Sequence, residues 1–473
     1  MGVSEIPEVL WGTETAKAVE NVQISGEPMP APVIRWLGLI KAAAAEVNAS
    51  LGIVDPTIAE GIIAAARDIA AGAHTAQFPV EVFQTGSGTS SNMNVNEVIS
   101  ALTGGRAHPN DDVNAGQSSN DVVPSAVHLA LLESVGRDLL PALETLEESF
   151  RSKSEEFRDV VKAGRTHLMD AVPVTLGQEL SGHGDQLRAA RQGILRALPE
   201  VGRLPLGGTA VGNGLNTHPE FAGLVRSWLR TELPASTADL VDAPVDHFAV
   251  QGARDALAAL SGSFNVTAIA LTKISNDLRW MASGPRTGLA EITLPTLQKG
   301  SSIMPGKVNP VIPEVVLQVA AQVIGNNTTI SVAALQGNFE LNAMIPVIAR
   351  NALESCQLLA TSTRALATCV DGIEANRSNC LRAAEGTLAS ATSLAPLIGY
   401  AATERIVQRA LDENRPLRDV ALDEGVAIEI VDSALDLQRL AAGNRTPPIR
   451  ESASEDQPGE GTLTSTREGA RPT

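Results

Sequence analysis

Between residues 257 and 281, Leu257, Leu260, Phe264, Thr267, Leu271, Ile274, Leu278 and Met281 recur in alternating steps of three and four. That spacing lays them along one stripe of one long helix, and an apolar stripe of such length must find partners to cover it. Leu132, Val135, Leu139, Leu143, Leu146 and Phe150 repeat the pattern, with Pro141 predicting a kink or a restart. A third helix is expected after Pro310, carrying Val315, Val316, Val319, Val323 and Ile324, and a fourth over about 341–370, bent at Pro346. Such helices bundle, and stripes too long for one small chain to cover make oligomerisation through the bundle the economical solution. Of the 473 residues 44% are hydrophobic but only 3% aromatic. The core is therefore aliphatic, which favours an all-α fold over a β-sandwich.

The places where periodicity stops divide the chain into an N-terminal helical region over 1–114, a central bundle over 115–370 and a smaller helical region over 371–445. Residues 446–473 hold Pro447-Pro448, Pro458-Gly459 and scattered Ser, Thr and charge with few apolar groups, a composition that reads as a disordered tail. Thirty-six basic against 54 acidic residues give a net charge of −18, which argues against nucleic acid or an anionic membrane as partner. Cys356, Cys369 and Cys380 are odd in number and lack C-x-x-C spacing, so neither a disulfide framework nor a zinc site is expected. The first ten residues lack a basic stretch followed by an apolar one, and no run reaches the roughly 18 apolar residues of a membrane span. A cytoplasmic location is expected. No metal-ligand spacing and no nucleotide-binding glycine motif after a strand appears, so catalysis without metal or cofactor is expected.

The chemistry concentrates in Gly300-Ser301-Ser302-Ile303-Met304-Pro305-Gly306-Lys307-Val308-Asn309-Pro310. Its glycines open backbone shapes closed to other residues and its prolines fix φ and remove donors, so a structured loop is predicted here. Lys307 and Asn309 offer a cation and an amide donor for an anion whose charge grows during reaction, with Ser301 or Ser302 as proton acceptor or nucleophile. Three further segments carry the same flavour. They are Thr85-Gly86-Ser87-Gly88-Thr89-Ser90-Ser91-Asn92, then His108-Pro109-Asn110-Asp111-Asp112-Val113-Asn114 with Gln117-Ser118-Ser119-Asn120-Asp121, and Gly164-Arg165-Thr166-His167-Leu168.

In this order the four segments resemble the signature regions of the fumarase/aspartase superfamily, over about residues 10–443. The resemblance implies a three-domain all-α fold whose central long-helix bundle is shared in a homotetramer, with active sites shared between subunits. It assigns Ser301 as the general base, acting as an alkoxide, and Lys307, Asn309, Asn120 and Thr89 to the carboxyl group that gains a second negative charge. On the other face His167, paired with Glu314, would activate or expel water. Glu314 taken alone equally suits a helix-start carboxylate stabilised by the dipole. Ser87, Ser118, Ser119, Thr166 and Ser302 read as substrate hydrogen-bonding groups, and His108, Asn110 and Asp111 as a second anion site.

His167 also discriminates within the superfamily, since aspartases typically carry glutamine there and fumarases histidine. The resemblance is thus to the class II, iron-independent fumarate hydratases, implying cofactor-free interconversion of fumarate and L-malate in the tricarboxylic acid cycle. His218 in Asn216-Thr217-His218-Pro219 and Gly306 before Lys307 agree, whereas Val311-Ile312-Pro313-Glu314-Val315-Val316 looks more aspartase-like. Two departures stand out. Arg106 is not where a basic residue of the second anion site normally falls, and Pro244-Val245-Asp246-His247-Phe248 replaces a more usual Asn-containing segment. Aspartate ammonia-lyase activity and a catalytically silent helical oligomer are the alternatives.

Overall fold

Several helices in this chain begin where a side chain caps the first free N–H groups or a proline removes one of them. The computed structural model describes residues 9–298 and 303–443; Ser301, Ser302 and the tail 446–473 lie outside the described residues. Helix α1 (Ala31–Ser50) is buried along most of its length and packs on α2 (Pro56–Ala70), which Asp55 caps by accepting from the N–H groups of Thr57 and Ile58. Helix α3 (Thr89–Leu102) follows a left-handed Gly88, and α4 (Ser119–Ser134) opens on a Ser118/Asp121 capping box. A π-helical turn over Val135–Leu139 then passes into α5 (Leu140–Glu156), with Pro141 in its first turn. The expected disturbance at Pro141 is therefore a restart, placed where its missing N–H costs nothing.

The strands β1 (Val161–Thr166) and β2 (Met169–Thr175) form an antiparallel hairpin that leads into α6 (Leu176–Val201). The predicted stripe helix is α7 (Asp255–Met281), and every one of its eight stripe residues is buried. Helix α8 (Val311–Ala334) begins right after Pro310, and α9 (Ile345–Asp371) completes the set. Each of α5 to α9 packs on the next, α9 returns to α5, and the five close into a ring around the aliphatic core. Helix α7 has the length and mean hydropathy of a membrane-crossing helix, although Asn265, Lys273 and Asp277 interrupt its apolar residues and no uninterrupted apolar run is formed. Its buried stripe and its neighbours α6 and α8 mark it as a bundle helix.

Two expectations about the helices need adjustment. The fourth helix starts at Ile345, because Leu341–Asn342 pairs with Gly337–Asn338 in a small antiparallel ladder. Pro346 consequently sits in the first turn of α9 and starts the helix instead of bending it. The α8 stripe also splits. Val316 and Val323 are buried, whereas Val315, Ile324 and Val332 are exposed, as are Val266 and Ile269 on the adjacent α7.

The chain divides into two compact units between Thr387 and Leu388. Everything above belongs to the first. The second is a small helical unit in which Leu394, Ile406, Val420 and Val431 form the core, and Arg409 and Arg415 tie Glu413, Asp423 and Glu424 together on its surface.

Candidate active site

Two helix N-termini meet at a chain of hydroxyls. Ser87 Oγ lies 2.7 Å from Thr89 Oγ1, which lies 2.7 Å from Ser119 Oγ, so the first turns of α3 and α4 are joined through their side chains. The positive ends of both helix dipoles then point into one place, an arrangement suited to a carboxylate. Gly86 and Gly88 make it possible. A Cβ on Gly86 would stand 1.9 Å from the Ala343 carbonyl oxygen, and one on Gly88, at φ +77°, 2.6 Å from Val123 Cγ1. Ser118 caps α4 and Asn120 donates to the Ala210 carbonyl at 2.9 Å. Five of the predicted residues from two distant segments are thus gathered at one site.

The second group sits at the tip of the β1–β2 hairpin. Thr166 pairs with Met169, leaving His167 and Leu168 as a two-residue turn with φ values of 56° and 60°. Positive φ at both central residues is the type I′ condition that Asn-Gly or Asp-Gly ordinarily meets. His167 and Leu168 meet it at a cost of roughly 1–2 kcal/mol each. Thr166, His167, Leu168 and Met169 are all exposed.

The third group is the described part of the loop before α8. Gly306 is left-handed at φ +79°, Lys307 is exposed and its N–H reaches the Met304 carbonyl, and Asn309 is half-buried. Glu314 stands in the first turn of α8, next to the positive end of the helix dipole. Among the described residues, neither the His167 ring nor the Glu314 carboxylate has a side-chain partner.

A family model described as Lyase matches residues 4–325, and one described as Fumarase C C-terminus matches 391–442. A protein of Corynebacterium efficiens named fumarate hydratase class II is 49% identical over 94% of this chain and 96% of its own length. One of Mycobacterium tuberculosis with the same name is 48% identical over 93% of this chain and 94% of its own. The chain belongs to the class II fumarate hydratase family. Among solved structures, a class II fumarase from Schistosoma mansoni matches with a TM-score of 0.88 at 40% identity, covering 93% of this chain and 97% of that one. A fumarate lyase from Brucella melitensis described with delta crystallin matches at 0.83 and 40%, covering 92% and 97%.

Beneath the hydroxyl chain this class II fumarate hydratase fold holds a buried polar layer that sequence reasoning missed. Lys41, fully buried, donates to Asn114 Oδ1 at 2.8 Å and Gln117 Oε1 at 3.0 Å. Burial pulls its ammonium down to about 7, opposed by the charge of Asp121. Asp121 is also fully buried, and burial pushes it up to about 6 against the hydrogen bonds it accepts from the N–H groups of Ser118, Gly207 and Thr209. Asn114, Gln117 and Asp121 lie in the polar segments 108–114 and 117–121, whereas the signal for Lys41 is a cation inside the apolar run 36–45 of α1. At the candidate second anion site, His108, Asn110 and Asp111 share one π-helical turn, but Asp112 accepts from the His108 N–H and Arg106 folds back onto the Thr103 carbonyl. His218 accepts from the Glu220 N–H, and Asp246 caps the short helix His247–Gly252.

Proposed function

We propose that the chain catalyses the reversible hydration of fumarate to L-malate without a cofactor, and that the meeting of two helix N-termini at Ser87, Thr89 and Ser119 receives one substrate carboxylate. His167, oriented by Glu314, takes a proton from water as hydroxide adds to one alkene carbon. The alkene electron pair moves toward the distant carboxyl group, which becomes an aci-carboxylate with two negative charges. Lys307, Asn309 and Asn120 supply cation and donors for that second charge, the differential stabilisation that lowers the barrier. Ser301 then gives its proton to the neighbouring carbon and is left as the alkoxide, which serves as base in the reverse direction. Ser118, Thr166 and Ser302 hold the substrate in register, while His108, Asn110 and Asp111 form a second, weakened anion site.

The site is assembled in a homotetramer from more than one subunit. The exposed apolar residues of α7 and α8 support this reading, as does a His167 ring that finds no Glu314 partner among the described residues.

Fumarate absorbance followed with purified protein tests the function. Fumarate should appear from L-malate and disappear when supplied alone, with aspartate inert. Fumarate formed only from aspartate would replace the proposal with an ammonia-lyase, and no change with any substrate would leave the silent oligomer.

A further inference from the structure

Within its own chain the strained His167 turn has little to hold it at its tip, where Leu168 and Met169 are exposed. A conformation of that kind persists only where its surroundings over-determine it. The fixed point lies along β1 behind the tip. Glu291 is completely buried. Its N–H donates to the Met281 carbonyl at 2.8 Å, and its own carbonyl accepts from the Asn376 N–H at 2.8 Å and Cys380 Sγ at 3.4 Å. Its carboxylate faces the hairpin. Oε1 accepts from Arg165 at 2.8 Å, and Oε2 lies 3.1 Å from Lys162 Nζ as an ion pair without hydrogen-bond alignment. Lys162, itself buried, donates to Glu179 at 2.6 Å.

Lys162 and Arg165 are three residues apart and would face opposite sides of a regular strand. The hairpin is not regular there. Ala163 pairs with Pro173 but Arg165 with Asp170, so Ala171 and Val172 together oppose Gly164. Such a bulge sharpens the local twist, which lets both cations turn to one carboxylate. Gly164 is required for it, since a Cβ there would stand 2.6 Å from the Val172 carbonyl oxygen.

We propose that Glu291 is a positioning residue for the hydration reaction: by clamping Lys162 and Arg165 it fixes the bulged hairpin whose tip presents His167. The proposal rests on the reading of His167 as the group that exchanges a proton with water. Displacement of a reacting group by about 1 Å costs on the order of 100-fold in rate, so Glu291→Gln should lower kcat by roughly 10- to 100-fold with a smaller change in KM. Arg165→Met, which keeps the Lys162–Glu291 pair, should lose less in the same direction.

Non-additivity is the readout that a merely structural role would not produce. Glu291→Gln combined with His167→Asn should be no slower than His167→Asn alone, because the clamp acts through the histidine. A double variant slowed by the product of the two single effects would overturn the proposal, as would near-parental kcat in both Glu291→Gln and Arg165→Met beside a slow His167→Asn. Should Glu291→Gln fail to fold, Arg165→Met with and without His167→Asn carries the same comparison. A His167→Asn enzyme of unchanged rate would instead remove the reading of His167 itself.

Discussion

His128 shows how far a single buried side chain departs from what its sequence position reveals. It is fully enclosed in α4, its ring Nδ1 lies 2.7 Å from the Val201 carbonyl, and burial followed by the nearby Arg254 charge pushes it down to about 4. The unfolded chain, near 6.5, binds a proton between pH 6.5 and 4 that the folded chain declines. Stability is therefore lost as pH falls through that window, by at most about 3 kcal/mol for this group. Asp121, held up at about 6, works in the opposite sense over much of the same range. The informative measurement is thus the difference between parent and His128→Gln in thermal midpoint from pH 7 to 4. The variant should show the smaller loss, and parallel curves would refute the assignment. Nothing in Ala126-Val127-His128-Leu129 distinguishes this histidine from a functional one, and Lys41 is equally silent beyond its apolar neighbours. His167 was legible only through the motif around it, because its exposed turn leaves no helical or strand periodicity to read.

At the scale of elements, apolar spacing carried the helices and failed at their ends. The α7 stripe was legible because all eight residues face one core, whereas the α8 stripe mixed inward and outward positions, since a period of three and four cannot say which neighbour covers a residue. The start of α9 was misplaced by four residues, local ladder pairing at Leu341–Asn342 having taken the segment. The β1–β2 hairpin was invisible because its turn uses His-Leu in place of the usual Asn-Gly signal. Glycines at the α3 start, by contrast, can be tested directly. Gly88→Ala must place a Cβ 2.6 Å from Val123 Cγ1 at a positive φ, so either Val123 or the start of α3, which carries Thr89, has to shift. We expect destabilisation of about 1–3 kcal/mol in denaturant unfolding and a raised KM for fumarate. An unchanged KM would detach the hydroxyl chain from substrate binding.

For the whole molecule, one observation organises the rest: among the described residues the exposed His167 ring has no side-chain partner, Glu314 included. Apolar side chains stand exposed on α7, α8 and the hairpin tip, as expected of surfaces that meet other copies. If each site takes its histidine from one subunit and its lysine from another, two inactive variants must rescue each other. His167→Asn keeps Lys307, and Lys307→Ala keeps His167, so a site is whole when the first chain lends the lysine and the second the histidine. Random mixing of equal amounts by unfolding and refolding then restores about a quarter of the parental activity, because each of the two positions is filled correctly half of the time. Sites built within one chain can gain nothing from mixing, since every chain carries one defect. Activity no higher than that of the separate variants, in a mixture that has reassembled to the parental size by light scattering, would therefore return both residues to a single subunit.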